Sequence, residues 1–161
     1  MIFVSVGTFV HGFDELIQEM DFICEQNQYK AFAQIGNSSV LPENMRFARF
    51  LTIADMRKKM KEANIIVCHG GFGILGDAMR AEKPIIAVPR QTETNSVDNP
   101  SNNQRVVVEK LRDLFNINVC MDIGTLHSLV NQVISQTNGM QKYDLQCNVP
   151  ALITNFLSNL E

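Results

Sequence analysis

Long hydrophobic runs are missing from this sequence: no stretch of its 161 residues approaches the roughly 20 apolar residues that a helix needs to cross a bilayer. Residues 1–6 are apolar but lack the basic segment that opens a secretory signal, so they are interpreted as a first strand. An excess of one charge is also missing, since the net charge is −3, and this argues against a nucleic-acid partner. We expect a cytoplasmic protein that reaches a membrane only through another chain.

Paired metal-ligating residues are absent as well. The four cysteines, Cys24, Cys68, Cys120 and Cys147, include no Cys-x-x-Cys pair, and the three histidines lie far apart in the sequence. This spacing gives no support for a structural zinc site. Because Cys68 and Cys120 stand in apolar runs, they are predicted to be buried, reduced thiols.

Strand-like and helix-like segments alternate along the chain, which is long enough for one domain over residues 1–161. Such alternation predicts an α/β fold: a parallel sheet of about six strands with helices on both faces. The predicted strands are residues 2–6, 29–35, 46–51, 65–68, 84–88 and 118–121. The predicted helices are residues 13–27, 55–63 with Asp55 as N-cap, the stretch after Gly73, a segment starting at Ser101 or Asn102, 126–136, and about 150–160.

Glycines crowd the turn after the fourth predicted strand, in His69-Gly-Gly-Phe-Gly73. Glycine lets a backbone approach a ligand closely, and the first turn of the following helix offers unpaired N–H groups and the positive end of the helix dipole. A strand, a glycine turn and a helix in this order predict a phosphate or diphosphate site. The alternative is a turn that is rich in glycine only because the elements pack closely.

Other loops are expected at the same edge of the sheet, because ligands of parallel sheets bind at the carboxyl ends of the strands. Gly7-Thr8 follows the first strand, and the polar stretch from Arg90 to Gln104 follows the fifth. Polar loops of this length are usually functional or disordered. His11 lies in the first of these loops, where a surface histidine is the more ordinary interpretation.

A dinucleotide fingerprint competes for the glycine turn, since Gly71-x-Gly73-x-x-Gly76 has the spacing of an NAD(P)-binding module. That fingerprint normally joins the first strand to the first helix, and here it follows the fourth strand. The acid expected at the end of the next strand is replaced by Pro89-Arg90, although Arg90 would suit a phosphorylated ribose.

Several motifs occur together in the order and spacing of a known family. Over about residues 1–115 the chain resembles the C-terminal domain of glycosyltransferase family 28. It is most similar to small stand-alone subunits, those of two-chain UDP-GlcNAc transferases and of bacterial exopolysaccharide glycosyltransferases. The motifs are Val6-Gly-Thr8, Phe13-Asp-Glu-Leu-Ile17, Met56, Ala63-Asn-Ile-Ile-Val67, His69-Gly-Gly-Phe-Gly73, Lys83-Pro-Ile-Ile-Ala-Val-Pro-Arg90 and Asn103-Gln104.

The resemblance implies a Rossmann-like, GT-B type donor domain that binds a UDP-sugar as substrate and uses no metal and no cofactor. No Asp-x-Asp motif occurs in the sequence. The diphosphate would bind around the glycine turn, the ribose at Asp77, the uracil beside residues 51–53, and the sugar at Asn103-Gln104. The substrate-binding residues implied are Gly7, Thr8, His69, Gly70, Gly71, Phe72, Gly73, Asp77, Arg90, Asn103 and Gln104.

Ordinary structural roles are open for three of these residues. Asp77 would also favour a helix dipole, Gln104 could be a solvated loop residue, and His69 could be a strand-end residue bonded to backbone. The family pattern is incomplete, with Ile74 where Ser or Thr is common. The catalytic residue is unknown, with His69 and His11 as candidates.

The function implied is that of the donor-binding subunit of a hexosyltransferase, transferring a sugar from a UDP-sugar to a lipid-linked acceptor in exopolysaccharide, capsular polysaccharide or lipid-linked oligosaccharide synthesis. A membrane-anchored partner subunit would bind that acceptor and keep the heteromer peripheral at the membrane. The alternatives are an NAD(P)-binding module and a non-catalytic nucleotide-sugar-binding protein, because fold alone does not give function.

Overall fold

The chain folds around a six-stranded sheet in which all neighbouring strands are parallel. The computed structural model describes residues 1–90 and 104–145. Across the sheet the strands follow the order β3-β2-β1-β4-β5-β6. The predicted parallel α/β architecture is therefore confirmed. In chain order the strands are β1 (Ile2–Ser5), β2 (Ala31–Gln34), β3 (Arg46–Ala48), β4 (Ile65–His69), β5 (Ile85–Val88) and β6 (Asn118–Val119).

Helices cover both faces of this sheet, as predicted. Alternate strand residues point to opposite faces, so Val4 packs in one core and Phe3 in the other. The first core is closed by α1 and α5, and the second by α2, α3 and α4. The helices are α1 (Asp14–Asn27), α2 (Ile53–Glu62), α3 (Phe72–Arg80), α4 (Gln104–Phe115) and α5 (Leu126–Gln136).

Burial separates the central strands from the edge. Every residue of β1 and β5 is buried, because a strand covered by helices on both faces needs an almost continuous apolar run. The edge strand β3 has two exposed residues and one half-buried residue in the sequence Arg-Phe-Ala. The sheet thus has a buried, largely apolar centre and an exposed edge at β3.

The start of α2 differs from the prediction. Asp55 is not the N-cap; Thr52 is, and its hydroxyl accepts a hydrogen bond from the backbone N–H of Asp55 at 3.1 Å. The same hydroxyl donates to the Asp55 carboxylate at 2.7 Å. The Thr-x-x-Asp spacing is close to that of a capping box, but here the acid bonds the threonine hydroxyl.

Some predictions fall outside the described residues: Asn103, the helix start at Ser101 or Asn102, Cys147 and the helix at about 150–160. Cys24, Cys68 and Cys120 are buried and free, and burial raises the pKa of the Cys68 thiol to about 12. The buried thiols predicted at Cys68 and Cys120 are confirmed. No helix within residues 1–90 and 104–145 combines the length and hydropathy that a membrane span requires.

Candidate functional site

Loops after four strands meet at the carboxyl edge of the sheet. They comprise residues 6–13 after β1, 35–39 after β2, 70–71 after β4, and Pro89 with Arg90 after β5. Parallel strands bring all of these loops to one edge, where ligands of such sheets bind. The contacts among the loops decide which of their residues are available to a ligand.

Gln34, the last residue of β2, fixes the loop after β1. Its Oε1 accepts hydrogen bonds from the Ser5 hydroxyl at 2.7 Å and from the Gly7 N–H at 3.1 Å. Its Nε2 donates to the carbonyls of Gly7 and Arg49, each at 2.9 Å. The side chain is only 1% exposed, and its amide uses both donors and both acceptor positions. Gly7 is therefore held on both its N–H and its carbonyl.

The imidazole of His69 lies between the loops after β1 and β4. A Cβ added to Gly7 would lie 2.5 Å from Cε1 of the ring, and one added to Gly71 would overlap Nε2. Nδ1 is 3.4 Å from the Ser5 carbonyl, which can only accept, so Nδ1 is the protonated nitrogen in that contact. Burial and the nearby Arg90 cation lower the pKa of His69 to about 4. The ring is therefore neutral at physiological pH.

Arg90 holds the first loop from the side of β5. Its guanidinium donates to the carbonyls of Gly12 and, at 2.6 Å, Val6. Its central carbon lies 4.7 Å from the Phe13 ring centroid and 5.3 Å from that of Phe9. Burial lowers the pKa of Arg90 to about 10, which leaves the group charged at neutral pH. Arg90 thus has a structural role here, and its predicted ligand contact stays a prediction.

Gly70 is required by helix packing. A Cβ at this position would lie 2.9 Å from the Val108 side chain and 3.1 Å from Cβ of Gln104. Gln104 begins α4, and its Oε1 accepts the backbone N–H of Arg90 at 3.1 Å. Gln104 is thus part of a helix and not a solvated loop residue. Its predicted contact with a sugar, like that of Asn103, remains a prediction.

The start of α3 is the open part of the site. Gly71 is the N-cap, and the first backbone bond of the helix runs from the Leu75 N–H to the Gly71 carbonyl at 3.1 Å. The N–H groups of Phe72, Gly73 and Ile74 precede that bond. Apart from its chain neighbours and the backbone of its own helix, no atom of the described residues lies within 4 Å of a Cβ built on Gly73. Packing among the described residues therefore does not require this glycine, whereas side chains crowd Gly70 and Gly71.

Asp77 lies one turn further along α3 and links it to α2. Its Oδ1 is 3.1 Å from Nη1 of Arg80 and 3.8 Å from Nη2 of Arg57. The Asp77 side chain is 27% exposed, and both arginines are mostly exposed. The carboxylate is thus reachable from solvent, and an ordinary ion-pair role exists beside its predicted ribose contact.

Apolar side chains stand at the starts of α2 and α3. Ile53, the first residue of α2, is 70% exposed, and Phe72, the first residue of α3, is 71% exposed. Arg57 and Asp77 meet within a turn or two of these positions, so the two helix starts are neighbours. Within the predicted uracil wall at 51–53, Leu51 packs into the core and Ile53 faces outward.

Thr8 and His11 are exposed in the first loop. The His11 ring packs edge-on against Phe9 at a centroid distance of 5.3 Å. No group of three His, Cys, Asp or Glu side chains in residues 1–90 and 104–145 could hold a metal ion. That finding does not test whether the reaction uses a metal, so the expected metal-free chemistry stays a prediction.

Sequence reasoning missed Ser5 and Gln34, which position the first loop. Both are polar residues at the ends of strands whose other residues are apolar, IFVS and AFAQ. A polar residue at the carboxyl end of a buried strand must find a partner or leave a costly unsatisfied group. That signal was available, but the partner lies 29 residues away.

The family is decided by the sequence match that runs through all of these elements. The glycosyltransferase family 28 C-terminal domain matches residues 1–148. This chain belongs to that family. A comparison with curated protein sequences finds no significant match.

Solved structures agree with the fold of a family 28 domain. MurG from Acinetobacter baumannii has a TM-score of 0.68 at 18% identity, over 99% of this chain and 49% of that one. CalG4, the calicheamicin glycosyltransferase, has a TM-score of 0.61 at 16% identity, over 84% and 34% of the two chains. VinC, solved with dTDP, has a TM-score of 0.54 at 18% identity, over 84% and 33%. The fold is thus the GT-B type, and the chain spans half or less of these glycosyltransferases.

Proposed function

We propose that this chain is the nucleotide-sugar-binding part of a glycosyltransferase, with a UDP-sugar as donor. The observation that carries the proposal is the open start of α3 at Gly73, next to a carboxylate further along the same helix. Glycine inside a helix costs roughly 0.5–1 kcal/mol relative to alanine. No packing of the described residues requires Gly73, so a ligand that approaches the backbone accounts for it.

The diphosphate of the donor would bind the N–H groups of Phe72, Gly73 and Ile74. These donors and the positive end of the α3 dipole favour an anion. In transfer, negative charge grows on the departing UDP, and fixed donors that already point at it lower the barrier. His69 is neutral, so it would add orientation and not charge.

The nucleoside would then lie across the starts of α2 and α3. Asp77 is four residues beyond Gly73, roughly 6 Å along the helix at about 1.5 Å per residue, which is a suitable offset from diphosphate to ribose. A ribose hydroxyl would donate to the Asp77 carboxylate, while Ile53 and Phe72 offer apolar surface to the base. VinC, a neighbour of the same fold, was solved with a nucleoside diphosphate.

A second polypeptide or domain would supply the acceptor side. The chain aligns with about half of MurG, and one α/β domain offers one row of strand ends. We propose a membrane-associated partner that binds a lipid-linked acceptor, with the complex located on the cytoplasmic side of the membrane. We propose an oligosaccharide or polysaccharide as the product, because the sequence resembles the stand-alone subunits of family 28 glycosyltransferases.

Two features count against the dinucleotide alternative. The third glycine of that fingerprint normally lets the helix pack closely on the sheet, but a Cβ on Gly76 would meet only the flexible end of Arg80 among the described residues. Arg90, the group suited to a phosphorylated ribose, donates to carbonyls of the first loop.

Thermal unfolding with different nucleotides tests the proposal. A ligand that binds only the folded state raises its stability by mass action, so UDP and UDP-sugars should raise Tm while NAD and NADP should not. A shift with NADP and none with UDP would overturn it. Turnover of the UDP-sugar with the partner and a lipid acceptor then distinguishes an enzyme from a non-catalytic binding protein.

A further inference from the structure

Positive charge is concentrated in one short part of this acidic chain. Residues 46–61 contain six of the 14 lysines and arginines and one acidic residue, although the whole chain has a net charge of −3. The remainder of the molecule is therefore strongly negative. The basic residues are Arg46, Arg49, Arg57, Lys58, Lys59 and Lys61.

Much of this charge lies on the outward side of α2. Ala54, Arg57, Lys58 and Lys61 border one shallow surface depression, with Glu62 at its end. These positions recur at helical spacing, so they share one face. Like charges three and four residues apart on a helix repel and weaken it. Among the described residues Arg57 pairs with Asp77 at 3.8 Å and Lys59 with Glu62 at 3.4 Å. Lys58 and Lys61 are in no ion pair of the described residues and are exposed, so they are suited to an external anion.

The basic surface continues onto the sheet edge. Arg46 of β3 and Lys59 of α2 line a neighbouring depression together with Phe32 and Lys30. Lys59 lies over the Phe32 ring at 4.7 Å from its centroid. We call Lys30, Arg46, Lys58, Lys59 and Lys61 together the basic face.

An exposed apolar side chain lies between the two elements that carry the basic face. Phe50, between β3 and α2, is 52% exposed. Exposed apolar groups next to lysine and arginine are typical of surfaces that enter the membrane interface, because long basic side chains keep their charge in water.

We propose that the basic face is a docking surface for an anionic lipid bilayer. Charge complementarity draws the basic face toward the lipid headgroups and turns the negative remainder of the chain away, and Phe50 enters the interface. Because α2 starts at the carboxyl edge of the sheet and is about 15 Å long, the candidate site would open beside the membrane surface. This inference does not rest on the proposed activity, since vesicle binding is measured without donor or acceptor.

Sedimentation with lipid vesicles tests the proposal on the full chain. The protein should bind vesicles of phosphatidylcholine mixed with phosphatidylglycerol, bind phosphatidylcholine alone weakly, and dissociate at high salt, where charge is screened. The vesicle partition coefficient of the Lys58→Gln/Lys61→Gln variant should be lower than that of the parent by about tenfold or more. Glutamine is as good a helix former as lysine, so α2 is retained.

The matched control is Lys110→Gln/Lys142→Gln, which removes the same net charge from exposed lysines elsewhere. It should bind vesicles almost as the parent does, and Phe50→Ser should bind less tightly. No binding of the parent to anionic vesicles would overturn the proposal, as would an equal loss in both double variants. RNA binding as tight as vesicle binding and insensitive to Phe50→Ser would assign the basic face to polyanions in general.

Discussion

A Cβ atom built on Gly7 would lie 2.5 Å from Cε1 of His69, so the imidazole occupies the space that any other residue at position 7 would need. Gly71 is limited by the same ring, and Gly70 by α4. Three glycines that sequence reasoning assigned to a ligand are thus required by packing. Among the glycines assigned to substrate binding, Gly73 is the one with open space around it in the described structure.

Alanine at Gly73 should therefore separate ligand binding from stability. Gly73→Ala removes the helix cost of glycine, so the free energy of unfolding should rise by up to about 1 kcal/mol. The added methyl would enter the proposed diphosphate space, and the Kd for UDP should rise about tenfold or more, a loss of about 1.4 kcal/mol. Chemical denaturation and calorimetric titration measure the two effects.

Gly76→Ala is the control for that experiment. It adds the same methyl group three residues later on the same helix, where among the described residues it meets only the end of Arg80. The variant should be more stable with unchanged UDP affinity. Equal UDP affinity in both alanine variants would contradict a diphosphate at Gly73.

Asp77→Asn should weaken UDP binding by roughly 1–3 kcal/mol, the usual size of a lost charge-assisted hydrogen bond. The free energy of unfolding should change little, because the ion pairs of Asp77 involve two mostly exposed arginines. Calorimetry with UDP and with 2′-deoxy-UDP measures whether the ribose hydroxyl accounts for the loss. Asp113→Asn, an exposed carboxylate beside Arg112, is the control and should leave UDP affinity unaltered.

His69 should make stability depend on pH. Its pKa is about 4 in the folded chain and 6.5 in an ordinary histidine, so between these values the unfolded chain binds more protons. The stabilisation is complete above pH 6.5 and is lost as the pH falls toward 4, by up to about 3 kcal/mol. Urea unfolding across this range should be less pH-dependent in His69→Gln than in the parent. His11→Gln, a change at an exposed ring, should keep the parental slope.

The sequence predicted the order of elements better than the contacts between them. Periodicity identified the six strands and the boundaries of α5, because apolar spacing is a local signal. The sequence analysis placed the cap of α2 at Asp55, three residues beyond the actual cap Thr52, because Asp and Thr are both favoured at that position. The interaction of His69 with two glycines, and of Gln34 with Gly7, joins residues far apart in the chain, so no local pattern could reveal it.

The role of Arg90 illustrates the same limit. Its place after β5 indicated a ligand contact, which stays a prediction, but no local pattern showed that its guanidinium donates to the carbonyls of Gly12 and Val6. Arg90→Lys should lower the free energy of unfolding by about 1–3 kcal/mol, since lysine lacks the planar fork that reaches two acceptors. Hydrogen exchange should increase at residues 9–12. Arg105→Lys, at an exposed ion pair on α4, should change neither quantity, and unaltered exchange in Arg90→Lys would contradict this role.

The isolated chain should bind the donor yet transfer sugar poorly or not at all. Transfer requires a second surface that positions the acceptor nucleophile, and this chain aligns with about half of MurG. The assay compares the chain alone, the chain with its acceptor-binding partner, and the chain truncated after Tyr143 with that partner. Truncation there keeps the hydrogen bond from the Tyr143 hydroxyl to the Lys83 carbonyl, which is 2.8 Å long, so the body of the domain should stay folded.

The truncation examines residues 145–160, which we predict to contact the partner. Leu145 is exposed, and the rest of that segment is outside the described residues. UDP affinity should be equal in the full and truncated chains, because the proposed donor contacts lie between residues 7 and 104. Transfer by the chain alone at the rate of the complex would overturn the need for a partner. Activity of the truncated complex would show that the tail is not the docking surface but would leave the need for a partner in place. The loops beside Gly73 would then be the candidate interface.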